Sequence, residues 1–141
     1  MLSYWAGIHL VVGAILATII AAPCIGVAAT DRNKDCPKSL WTWVLICNIG
    51  IYVSLIPTLF GMFTESAWAY LVVCTIPILF LFIWAIIGLA WAKSDGVKDA
   101  CGRLYDVTFG ESIFLVIAYP CLIFLSYCGV LLVLNMPGPN G

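Results

Sequence analysis

Four long apolar stretches, separated by three polar segments, set the pattern of this chain. Residues 1–30, 39–64, 66–92 and 112–141 contain no Asp, Glu, Lys or Arg. A helix needs roughly 20 mostly apolar residues to cross a hydrocarbon core. Each stretch is long enough, with some tilt or interfacial overhang. Runs such as Val11–Ala22 and Ile76–Ile87 are apolar almost all round, whereas a barrel strand alternates in polarity over about ten residues. Helices also satisfy their own backbone groups, as lipid requires. The pattern predicts an all-α integral membrane four-helix bundle, a single domain over 1–141, with helices at about 4–30, 39–63, 66–92 and 111–135.

The polar segments carry every charge. Asp31, Arg32, Lys34, Asp35 and Lys38 form the first group, and Glu65 stands alone. Lys93, Asp95, Lys98, Asp99, Arg103, Asp106 and Glu111 form the third. With four spans, segments 31–38 and 93–111 lie on one side of the membrane. Both ends of the chain and the Glu65 turn lie on the other. Thr64-Glu65-Ser66 is a tight turn, so the second and third helices are antiparallel neighbours. Glu65 and Glu111 each stand at a predicted helix start, where the helix dipole favours an anion. An ion-pathway carboxylate within the membrane is the sharper alternative. Val27-Ala28-Ala29 has the small residues of a leader cleavage site. However, Met1–Tyr4 has no basic residue and the apolar stretch is overlong, so the first segment reads as a true span.

Composition narrows the class. Hydrophobic types make up 64% of the chain and charged types 9%, against ~45–50% and ~25% in soluble domains. A disordered tail, a basic nucleic-acid binder and an ordinary cytosolic enzyme are excluded. The net charge of -1 implies no polyelectrolyte partner. There is no Gly-rich phosphate loop, no metal-ligand cluster, and no nucleophile with a base and an orienting acid. We therefore expect no enzyme, no cofactor and no metal.

Inside the spans a few residues stand out. Each predicted helix holds one internal proline: Pro23, Pro57, Pro77 or Pro120. Proline removes a backbone hydrogen bond and favours a kink. Pro77 and Pro120 fall near mid-membrane and are the better hinge candidates. Gly13, Ala17 and Ala21 repeat at four-residue spacing, a small-residue face that lets helices approach closely within the bundle or between subunits. Trp84, Gly88 and Trp91 share one face of the third helix and read as a packed aromatic seam. The deep Trp84 indole needs a hydrogen-bond acceptor. Tyr4, Trp5, Trp41, Trp43, Trp68, Tyr70, Tyr105 and Phe109 fit interfacial belts. His9, Asn48 and Asn135 are the candidate polar groups within the membrane, with Thr18, Ser54, Thr58, Thr75 and Ser126 beside them.

Cys24, Cys47, Cys74, Cys121 and Cys128 lie within predicted helices, where thiols behave as small hydrophobes. Cys36 and Cys101 lie in polar segments on the same side. They are eligible to pair if that side is oxidising. The positive-inside rule points the other way: all six Lys and Arg residues are on that side, which would make it cytosolic and its thiols reduced. Both readings stand on the residues alone.

Ile25-Gly26, Cys36-Pro37 and Gly50 resemble the first half of the transmembrane protein 272-like family. The run Leu81–Trp91 resembles that family's third helix. Cys101-Gly102-Arg103-Leu104-Tyr105-Asp106-Val107-Thr108-Phe109 resembles its Cys-x-x-Leu-Tyr-x-x-x-Phe element. The likeness covers residues 20–130. Leu89 departs from it, standing where the family has Asn, and the turn between the second and third helices lacks basic residues. The resemblance implies four spans, cytosolic termini, segments 31–38 and 93–111 outside, and a Cys36–Cys101 disulfide. The expected place is the plasma membrane or another membrane of the secretory pathway, where one side is oxidising. The resemblance carries no chemistry.

Two functions fit. The first is a self-assembling protein, or an accessory and structural subunit of a larger membrane complex. The second is a subunit of an oligomeric pore or channel, since four short helices enclose too little space for an aqueous path alone. Either way the partners are the lipid bilayer and other membrane-embedded chains, with no nucleic acid.

Overall fold

A computed structural model describes residues 2–31, 35–61 and 63–135. Arg32 and Lys34 lie outside the described residues, and so do the side chains of Trp5 and Ser126. The described chain is all α, in six elements: α1 (Leu2–Thr30), α2 (Leu40–Val53), α3 (Ile56–Gly61), α4 (Ala67–Ala92), α5 (Val97–Cys101) and α6 (Arg103–Asn135). Four helical segments are long and apolar enough to cross a membrane: Ala6–Thr30, Leu40–Gly61, Ala67–Ala92 and Arg103–Cys121.

Two boundaries differ from expectation. The second predicted helix is broken at Ser54-Leu55. Pro57 has no N–H, and its ring opposes the carbonyl four residues back, at Val53. The backbone tightens instead. Leu55 donates to the Tyr52 carbonyl and Thr58 to the Leu55 carbonyl, each at 3.1 Å. The Ser54 and Thr58 hydroxyls donate to the Ile51 and Leu55 carbonyls at 2.5 Å. By contrast, α4 and α6 run unbroken through Pro77 and Pro120.

The last span begins at Arg103, not at Glu111. The expected loop 93–111 is a turn, the short helix α5, Gly102 and the first two turns of α6. Gly96 and Gly102 have φ of 75° and 52°, the left-handed region open to glycine, and they bracket α5. Charges do not stop α6 because Arg103 and Asp106 face outward while Leu104 and Thr108 are buried.

Helix α2 sits between the others, packing on α1, α4 and α6, while α4 and α6 share the longest contact. Leu40, Trp43, Val44, Cys47 and Ile51 from α2 form the centre of the core, with Leu81 and Ala85 from α4 and Leu104 and Leu115 from α6. Ala17 and Ala21 on α1 are buried, and their neighbour Gly13 meets Leu55. The outer surface is apolar: Val11, Ile15, Ile19, Ile76 and Ile83 are exposed. Lipid tails are as apolar as leucine, so helix association rests on close packing and hydrogen bonds rather than on escape from water.

Candidate functional site

The end of the bundle that carries segments 31–38 and 93–111 is tied covalently. Cys36 and Cys101 form a disulfide, with Cα atoms 5.0 Å apart and a sequence separation of 65. Beside it, the Arg103 guanidinium donates to both carboxylate oxygens of Asp31, at 2.7 and 3.2 Å. The first bond is also an ion pair. A further guanidinium bond reaches the Thr30 hydroxyl at 3.4 Å. These contacts join the end of α1 to the start of α6.

One layer deeper, two tryptophans lock α2 to α4. The Trp43 indole donates to the Trp84 carbonyl at 2.9 Å, and the Trp84 indole donates to the Trp43 carbonyl at 3.2 Å. The rings lie parallel within 5°, with centroids 6.5 Å apart. Gly88 makes this approach possible, because a Cβ there would strike both the Trp43 ring and the Ser112 hydroxyl. Trp91 is half-buried against the same core.

Below that layer lies a polar cluster that the bundle encloses. Glu111 is 5% exposed, and Asn48, Thr108 and Ser112 are fully buried. Leu104, Thr108, Glu111, Ser112 and Leu115 repeat at helical spacing, so α6 turns them to one face. Asn48 donates from Nδ2 to the Val44 carbonyl at 2.7 Å and to Glu111 Oε2 at 3.5 Å. The thiols of Cys24 from α1 and Cys47 from α2 also flank the carboxyl. Among the described residues, Asn48 Oδ1, Thr108 Oγ1, Glu111 Oε1 and Ser112 Oγ have no hydrogen-bond partner. Asn48 and Glu111 each lie eight residues into their helices, about 12 Å along the axis. Glu111 is thus two turns inside α6 rather than at a helix start.

The remaining candidates are scattered. His9 pairs with the Tyr70 hydroxyl at 3.2 Å, at the opposite end of the bundle. Asn135 is exposed and donates to its own helix, at the Leu131 carbonyl, 2.8 Å away. Pro120 lines an open apolar groove of about 380 Å³ between α4 and α6, with Leu79, Phe82 and Phe124. Pro77 lies within α4. Of the expected intramembrane polar residues, only Asn48 joins the cluster. Thr108 and Ser112 were not expected there, and Glu111 was expected first at a helix start, with a carboxylate within the membrane as the alternative. The spacing of Leu104, Glu111 and Leu115 on one helical face is the signal that would have placed Glu111 inward. No protein-family model matches the chain, and neither curated proteins nor solved structures give a match.

Proposed function

We propose that this chain is a packing subunit of the membrane, a four-span protein that assembles with copies of itself or with a larger membrane protein. It works by shape and adhesion, without catalysis or a cofactor. The observation that supports this reading is the division of polar and apolar groups across the spans. Asn48, Thr58, Thr108, Glu111 and Ser112 turn inward, while the outward faces of α1 and α4 are apolar. A ring around a wide hydrated pore would need the reverse on one face of each subunit.

We further propose the orientation that the transmembrane protein 272-like resemblance implies, with both chain ends cytosolic and the disulfide end outside. The Cys36–Cys101 pair supports it, since disulfides persist in oxidising compartments. The plasma membrane or another secretory-pathway membrane is then its place.

The pore-subunit reading has one supporting observation. Tyr52 donates to the Thr18 hydroxyl at 2.9 Å on an exposed face of the spans. That pair would face the axis of a ring. Yet Thr18 also donates to the Ala14 carbonyl, so the hydroxyls are satisfied without water. Light scattering of the protein in a mild detergent tests the packing role, with an ordered oligomer or a stoichiometric partner complex expected. Crosslinking in native membranes that recovers only lipid adducts and monomers would overturn it. Ion conductance in liposomes that disappears with Thr18→Val would transfer support to the pore.

A further inference from the structure

We propose that Glu111, Asn48, Thr108 and Ser112 form an intramembrane binding site for one small monovalent cation, sodium being the ion that fits. The inference is independent of how the chain assembles.

The charge of the site comes first. An ionised carboxylate inside a low-dielectric bundle costs several kcal/mol unless a countercharge meets it. Among the described residues, no Lys or Arg pairs with Glu111, and Arg103 is engaged with Asp31. The groups that face the carboxyl are uncharged donors and acceptors. They are Cys24 from α1, Cys47 and Asn48 from α2, and Tyr119 from α6, while Thr108 and Ser112 are buried on α6 one turn before Glu111 and directly after it. From α4, Gly88 is packed against Ser112. The site therefore calls for a single positive charge. A divalent ion would leave an unbalanced charge in the same medium, and calcium wants 6–8 oxygen ligands.

The oxygens come second. Four buried oxygens, one each from a carboxylate and an amide and two from hydroxyls, have no partner from the described chain. Hard oxygen donors of this kind suit hard cations. A proton on Glu111 would balance the charge but engage one acceptor and strand the rest.

The two hydroxyls sharpen that sign. Several hydroxyls within the spans turn back onto the preceding turn. Thr18 bonds to Ala14, Ser54 to Ile51, Thr58 to Leu55 and Thr75 to Leu71. Burial alone does not change that habit, because Thr58 is as buried as Thr108. Thr108 and Ser112 depart from it, and both lie on the face of α6 that carries Glu111. Their lone pairs are left free on the buried face of α6. The close packing of Gly88 against Ser112 and Trp43 favours a small ion over a large one.

The test uses the full-length protein in detergent micelles, exchanged into choline chloride. Equilibrium binding of radioactive ²²Na⁺ is measured alongside thermal unfolding at constant ionic strength. We expect saturable binding of one ion per chain, displaced by unlabelled sodium, and a rise in Tm with sodium that saturates in step. Glu111→Gln abolishes both effects. Ser112→Ala weakens binding by roughly tenfold, one contact's worth, and decides the matter if Glu111→Gln does not fold. Absence of saturable sodium binding by folded wild-type protein overturns the site. So does binding unchanged in either variant. Stability that follows pH but ignores sodium overturns it in favour of a proton alone, and preferential calcium binding overturns the charge argument.

Discussion

The two ends of the bundle are built differently. At one end a disulfide, a two-pronged arginine–aspartate contact, a reciprocal tryptophan pair and an enclosed polar cluster succeed one another inward. At the other end the second span is broken at Ser54-Leu55, and α4 starts from a turn capped by Ser66, which accepts from the Ala69 amide at 3.3 Å. One side-chain bond, His9 to Tyr70, crosses between α1 and α4 there. Beyond Pro120, described side chains of α6 such as Phe124, Leu125 and Leu132 face outward. In lipid, apolar side chains gain little by choosing protein over solvent. Covalent ties, hydrogen bonds and tight steric fits must therefore do the ordering; tight fits occur at both ends, as Gly61 against Tyr70 shows, but the covalent tie and most of the hydrogen bonds between helices are at one end.

Variants that cut those ties put the contrast to the test. The largest loss is expected from Cys36→Ala. A 65-residue loop closed by a disulfide restricts the unfolded chain by up to about 4 kcal/mol. Unfolding midpoints in a non-ionic detergent should fall steeply, and reductant should lower the wild type to the same value. Next comes Trp43→Ala, at about 3 kcal/mol, the low end of aromatic truncation because lipid replaces water around the unfolded helices. It also leaves the Trp84 carbonyl without its indole donor. Gly88→Ala follows, at about 1–3 kcal/mol, because the added methyl must displace the Trp43 ring and the Ser112 hydroxyl. Tyr70→Phe should cost least, about 0.5–1.5 kcal/mol, since it removes one hydrogen bond to His9. If Tyr70→Phe destabilised the protein more than Gly88→Ala, the division into a tied end and a loose end would fail.

Much of the frame was legible in the charge pattern. Thirteen charged residues confined to three segments count the spans directly, because lipid excludes charge more strictly than it specifies anything else. The need of the deep Trp84 indole for an acceptor could also be read ahead, although the acceptor, the Trp43 carbonyl, comes from 41 residues away. A charge does not by itself end a helix in this chain. Arg103 and Asp106 sit on the outer face of α6, so the helix runs through them. That shift of two turns moves Glu111 from a boundary to the interior. The partners of Glu111 come from α1 and α2, and no local pattern announces a contact between Asn48 and a residue 63 positions on. The break at Pro57 was visible as one proline among four, but only Pro57 interrupts a span. There Ser54 and Thr58 supply hydroxyls to the carbonyls of the tightened turns.

The most direct check on a covalently tied end is a thiol map. Protein made in its native membrane is alkylated under denaturing, non-reducing conditions and digested, and the peptides are identified by mass. Cys36 and Cys101 are expected as one linked pair, while Cys24, Cys47, Cys74, Cys121 and Cys128 carry the alkylating group. Alkylated Cys36 and Cys101 in the unreduced protein would contradict it. That result would also return segments 31–38 and 93–111 to the cytosolic side that their basic residues favour.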